Sequence, residues 1–158
     1  MVGSPNHVFF IYDGDNSAFP VGPNVAEGPP GSAEIEKLLT DYFAGQGVPS
    51  KETPFNGRSD YGPFIAIDIP AGGLFTGAEG IKTAEEAALW GGTAGQQYDP
   101  CYHVACDTFA NNNAQALHVN SDAIAYAVLQ YAMSTTDFND QKPKGNFKVP
   151  PFQDASEE

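Results

Sequence analysis

The apolar run Val8-Phe9-Phe10-Ile11-Tyr12 is the first strongly patterned segment of the chain. Aromatic and β-branched side chains dominate it, and Asn6 and Asp13-Gly14-Asp15 bound it, so it predicts a buried strand. Prolines and glycines between 14 and 31 follow no period and predict a loop. From Ser32, a residue suited to capping a helix, Ile35, Leu38, Leu39, Tyr42 and Phe43 recur at spacings of three and four. That stripe predicts an amphipathic helix over about 32–45, ended by Gly45 and Gly47.

Residues 48–63 read as loop. After Ser59-Asp60 the pattern fits either a helical turn to about Ala66 or a strand over Phe64–Ile69, and periodicity does not separate them. Gly72-Gly73-Leu74-Phe75-Thr76 predicts a short, closely approached strand. Thr83 is placed to cap a short helix, Ala84–Trp90, closed by Gly91-Gly92. A long loop over 91–113 leads to a helix over about 114–133, on which Leu117, Ser121, Ile124, Val128 and Tyr131 trace the face expected on the core. Residues 1–133 read as one domain, and the Pro-rich segment 134–158 reads as a flexible tail. Helices alternating with short buried strands predict an α/β layered fold. Two or three strands are few for a parallel sheet covered on both faces.

Composition narrows the class. At 158 residues and 41% apolar the chain suits one domain with a sizeable core. Twenty acidic against seven basic residues give a formal charge of −13. A nucleic-acid binder needs a cationic surface, so that class is excluded, and anionic membrane surfaces are disfavoured. No apolar run reaches the roughly 20 residues of a membrane span. The opening Met1-Val-Gly-Ser-Pro-Asn6 carries no signal-peptide pattern. The two cysteines, Cys101 and Cys106, stand five apart, which favours a local disulfide and hints at an oxidising compartment, in tension with that opening.

The segment with most chemistry is Asp99-Pro-Cys-Tyr-His-Val-Ala-Cys-Asp107. It fits two readings, a Cys/His zinc cluster or a disulfide loop that contains a histidine, and tight spacing crowds the tetrahedral geometry of the first. Arg58 beside Asp60 predicts an ion pair, and Glu79 sits in a turn from which it could reach a ligand. Glu85-Glu86 predicts a solvated helix face, because adjacent helical positions do not converge. His7 and His118 read as incidental polar residues. Asp13 and Asp15 resemble the start of a calcium loop, but no Gly-x5-Glu follows in register.

Five strings taken in order carry a resemblance: Gly57-Arg-Ser-Asp-Tyr-Gly-Pro-Phe64, Gly72-Gly-Leu-Phe-Thr-Gly-Ala-Glu79, Trp90-Gly-Gly-Thr-Ala-Gly-Gln96, Asp99 to Asp107, and Asn120-Ser-Asp-Ala123. Together with Gly3-Ser-Pro-Asn6 they make the chain resemble the secreted or vacuolar di-zinc aminopeptidases, metallopeptidase family twenty-eight, of the aminopeptidase Y and bacterial leucyl aminopeptidase type. The resemblance implies a three-layer α/β/α sandwich around a mainly parallel sheet, and removal of N-terminal residues from peptides with two zinc ions. By motif position it implies His103 as a zinc ligand and Tyr102 as the phenol that hydrogen-bonds the developing oxyanion. It likewise implies a Cys101–Cys106 disulfide, and Gly57, Arg58 and Phe75 on the substrate pocket, with Phe75 on an apolar subsite. Asp122 matches a calcium ligand of some bacterial members, but His118 replaces the second acid, which puts calcium in doubt.

The family's other ligands, a His-x-Asp pair, a bridging acid beside the catalytic Glu and a second Asp, match nothing in this sequence. The resemblance therefore implies the carboxy-terminal half of an enzyme, inactive alone, whose partners are a peptide substrate and the missing amino-terminal half. The complete protein is expected to be secreted or vacuolar. The competing expectation is a non-catalytic domain that binds peptide N-termini through Phe75, Arg58 and Tyr102.

Overall fold

The computed structural model describes residues 1–133. The segment 134–158, expected as a tail, lies outside the described residues. Strand β1 (Phe10–Tyr12) forms the middle of a three-stranded sheet. Helix α1 (Ser32–Gly45) follows and returns the chain to β2 (Lys51–Thr53), which lies parallel to β1 with Phe10 opposite Lys51 and Tyr12 opposite Thr53. This β–α–β crossover is what a parallel pair requires. Strand β3 (Leu74–Phe75) closes the other side, antiparallel, with Phe10 opposite Phe75. The described sheet is therefore mixed, where a mainly parallel one was expected.

Both faces of β1 are covered, and period-two alternation divides its side chains. Phe9 and Ile11 join Leu39 and Phe43 of α1 in one cluster. Tyr12 points the other way and packs with Phe55 and Tyr61, with ring centroids 5.3 and 4.8 Å away. Continuous apolar character in this short strand reflects burial on both sides.

The first helix begins one residue earlier than a Ser32 cap would have it. Gly31 is the N-cap, at φ 103°, and Ser32 is the first helical residue. Its buried Oγ instead accepts the Ala71 N–H at 3.1 Å and ties α1 to the segment entering β3. The residues 48–63, read as loop, contain β2, whose Lys-Glu-Thr sequence carries no apolar signal. After Ser59 the chain takes the helical alternative as a single turn, α2 (Gly62–Ile65). Helix α3 (Ala84–Trp90) carries the expected Thr83 cap, completed into a capping box by Glu86.

Helix α4 (Ala114–Met133) packs on a different face from the one expected. Ala116, Asn120 and Ala123 are buried, while Leu117, Ile124 and Val128 are 41%, 43% and 63% exposed. Ala116 and Ala123 join the α1 cluster, so small residues mark where the two helices approach. No helix among the described residues is long and apolar enough to cross a membrane.

Candidate active-site cleft

Parallel strands β1 and β2 both end at one edge, and ligands of α/β proteins gather outside such strand ends. A cleft of about 290 Å³ opens there. Tyr12 and Thr53, the last residues of β1 and β2, form its floor, and Phe75 of β3 forms a wall. Loops complete it with Arg58, Tyr102 and His103. Four of the residues singled out in the sequence, Arg58, Phe75, Tyr102 and His103, thus converge from three separate segments. Gly57 stands behind Arg58 at φ 77°, and its N–H donates to the buried Tyr61 hydroxyl at 2.9 Å. A left-handed backbone at this turn favours glycine.

The loop bearing Tyr102 and His103 is closed by the Cys101–Cys106 disulfide, so the zinc-cluster alternative for these cysteines falls. Buried Asp99 anchors its entry, with Oδ1 accepting from the Cys101 N–H and the Asn111 amide, both at 2.9 Å. The Asp99 N–H donates to the Ala78 carbonyl at 2.8 Å, which fixes the loop to the segment after β3. His103 has φ 58°, in the left-handed region, and its ring stacks on Tyr102 with centroids 3.8 Å apart. A non-glycine residue held there marks a constrained site.

Arg58 pairs with Glu79, Nη2 to Oε1 at 2.7 Å, and not with the neighbouring Asp60 as expected from sequence. Glu79 first, and then Tyr102 on the same cleft, raise the Arg58 pKa. The backbone N–H of Glu79 and the Arg58 guanidinium together hold the Glu79 carboxyl below its ordinary range. On the cleft floor, burial and then the neighbouring Tyr61 push the Tyr12 phenol up to about 12. It therefore stays neutral and serves as packing surface near neutral pH.

A zinc ion with catalytic duty takes about three protein ligands. His103 is exposed, and among the described residues it belongs to no group of three ligating side chains. The residues beside it do not fit a two-metal centre. The group of three that the described residues do form is Asp13, Asp15 and Glu36, which the sequence reading connected only in part. Their oxygens are engaged by the loop: Asp13 accepts the N–H groups of Ala18 and Phe19, and Glu36 those of Gly14 and Asp15. Asp122 lies exposed on α4, 3.6 Å from His118, and is in no ligand group among the described residues.

Sequence reasoning missed three supporting residues. Glu86, expected on a solvated face, is buried and bonded to Lys51, Tyr98 and the Thr83 N–H. Its capping-box position, three after Thr83, was the available signal. Glu36 lies on the packed side of α1, seven residues before Phe43. Asp99 is buried, and an aspartate two residues before the half-cystine was the local sign of an Asx turn.

Relatives match most of the chain. Leucine aminopeptidase 2 of Arthroderma otae is 50% identical over 151 residues, covering 96% of this chain and 30% of that protein. An aminopeptidase of Pseudomonas aeruginosa PAO1 is 50% identical over 141 residues, covering 89% of this chain and 25% of its own length. The chain spans about 30% of the length of the fungal relative it matches. The profile of Peptidase family M28 matches residues 1–128, and on this extent the chain belongs to that family.

Proposed function

We propose that residues 1–133 form the carboxy-terminal, substrate-binding part of a zinc-dependent aminopeptidase domain with a three-layer α/β/α architecture, followed by a tail over 134–158. The observation that carries this reading is the meeting of Arg58, Phe75, Tyr102 and His103 at one cleft beside the ends of β1 and β2. Phe75 offers apolar area to the N-terminal side chain of a peptide. Tyr102 offers a phenolic O–H where negative charge develops on the scissile carbonyl oxygen, the kind of fixed donor that lowers such barriers. His103 is the imidazole this chain contributes to a zinc centre whose remaining ligands lie elsewhere. The relatives' names, aminopeptidase and leucine aminopeptidase 2, agree with peptide substrates. A secreted or vacuolar location suits the disulfide.

With one imidazole on offer, the chain with added zinc is expected to leave a leucyl chromogenic substrate intact. Grafted into the Pseudomonas aeruginosa aminopeptidase in place of the matched 141 residues, it is expected to release N-terminal leucine in a chelator-sensitive way. A folded chimera without that activity overturns the reading. A second reading, a domain that binds peptide N-termini without catalysis, draws on the cleft being formed by this chain alone. Saturable peptide binding by the chain, unchanged by chelator, together with an inert chimera, is the outcome that favours it.

A further inference from the structure

The cleft carries an acid that no role above uses. Arg58 and Asp60 are the guanidinium and the carboxylate among its lining side chains. The Arg58 charge is met by Glu79, Nη2 to Oε1 at 2.7 Å. Asp60 is exposed, and its carboxylate has no hydrogen bond or ion pair among the described residues.

The turn that carries Asp60 is fixed. Asn56 Oδ1 accepts the Arg58 N–H at 3.1 Å and the Tyr61 hydroxyl at 3.2 Å. The same hydroxyl accepts the Gly57 N–H at 2.9 Å. Tyr61 is buried, with its ring centroid 4.8 Å from those of both Tyr12 and Phe55. Asp60 directly precedes that anchored residue, so its backbone is held beside the cleft while its carboxylate stays open to whatever enters.

Two opposite charges 2.7 Å apart, as in Arg58 and Glu79, act on a third group only as a dipole. An unmatched carboxylate acts over a Debye length, about 8 Å at physiological salt. A cleft of about 290 Å³ is narrower than that, so a peptide bound in it feels the Asp60 charge. Met1 also borders the cleft, and joined to a preceding residue it brings no charge of its own. On the aminopeptidase reading the N-terminal side chain lies on Phe75, an apolar wall supplied by β3. Asp60 comes from the separate loop between β2 and α2, which leaves it to face the residue that follows the scissile bond.

We propose that Asp60 is a specificity-determining residue, favouring peptides whose second residue is cationic and disfavouring those whose second residue is acidic. The inference rests on the aminopeptidase reading and adds to it a substrate class. Its test uses the chimera described above with leucyl-lysine amide and leucyl-glutamate α-amide, which differ in the charge of the second side chain. Asp60→Asn is expected to lower the lysine-to-glutamate ratio of kcat/KM about three- to tenfold, and Asp60→Lys to lower it further. Both changes should shrink in about 1 M salt, where the Debye length is about 3 Å. The leucine-to-alanine ratio at the first residue should stay the same in all three proteins. Folded, active variants with an unmoved lysine-to-glutamate ratio overturn the inference and leave the aminopeptidase reading standing. A changed leucine-to-alanine ratio with the other constant overturns it too, because Asp60 then reads the first residue. A folded parent chimera without peptidase activity overturns the reading and this inference with it.

Discussion

Lys51 Nζ lies 2.7 Å from Oε1 of Glu86, joining an edge strand to a helix 35 residues later in the chain. The carboxylate is buried, and its other oxygen takes the Tyr98 hydroxyl at 2.6 Å and the Thr83 N–H at 2.9 Å. Removing it strands three donors, so Glu86→Ala is expected to cost about 2–4 kcal/mol in urea unfolding. Burial works against the charge on Glu86, but the bonds from Lys51, Tyr98 and Thr83 outweigh it and hold the carboxyl below its ordinary range. Its contribution is therefore complete above the unfolded value and disappears as pH falls through the folded one. Wild type and Glu86→Ala should approach one another in stability at acid pH. A gap of constant size from neutral to strongly acid pH would refute the assignment.

Glu36 titrates in the opposite sense. Burial first, and then the charges of Asp15 and Asp13, raise its carboxyl despite the Gly14 and Asp15 N–H bonds. A raised folded value means a penalty that is absent below the unfolded value and grows as pH rises through the folded one. Glu36→Gln keeps a carbonyl for the Gly14 N–H and removes the charge. It is expected to raise Tm by about 2 °C near neutral pH. The gain should vanish near pH 4, about where an unperturbed glutamate protonates. A lower Tm at neutral pH would show that the charge is needed.

The α/β character was legible because β1 is a continuous apolar run and α1 carries a strong period of its own. Strand β2 was not, since Lys51-Glu52-Thr53 becomes a strand only by pairing with β1. Helix α4 misled for a different reason. It is apolar over much of its circumference, so the larger side chains traced one stripe while the smaller ones made the close contact. The cleft residues were legible one by one from motif resemblance, but their assembly was not. Glu79 finds Arg58 across 21 positions and two loops, a relation that no local spacing encodes. The neighbouring Asp60 gave a false local solution.

Helix α4 supplies a test of that contrast. Ala123 is wholly buried against the α1 cluster, so Ala123→Leu should overpack it and cost about 1–3 kcal/mol. Val128 is 63% exposed in the structure, and Val128→Ser should change stability by less than about 0.5 kcal/mol. Chemical denaturation of both variants checks the pair. The reverse ranking would return the Leu117, Ile124 and Val128 face to the core.

The Cys101–Cys106 disulfide closes a loop of sequence separation five. So short a loop constrains the unfolded chain by only about 2 kcal/mol. Its larger consequence is local, because it encloses His103 in the left-handed region and the Tyr102–His103 stack. Replacing both cysteines with serine is expected to lower Tm by about 4 °C. It should abolish the nuclear Overhauser contacts between the Tyr102 and His103 rings. Intact ring contacts in the double variant would show that Asp99 and the surrounding turn suffice.

Tyr102 and Phe75 face the same cleft but should fail in different kinetic terms. A donor used as charge develops on the carbonyl oxygen acts on the transition state more than on the bound substrate. Tyr102→Phe removes only that hydroxyl and should lower kcat about a hundredfold or more, with KM little changed. On the proposed reading, Phe75→Ala removes apolar area offered to substrate and transition state alike. It should raise KM for a leucyl substrate about ten- to hundredfold and leave kcat nearly intact, as loss of uniform binding does. The chimeric enzyme with leucyl and alanyl anilides reads both, and the Phe75 effect should shrink for alanine. Equal losses of kcat in the two variants would mean that neither the oxyanion donor nor the apolar wall has its assigned place.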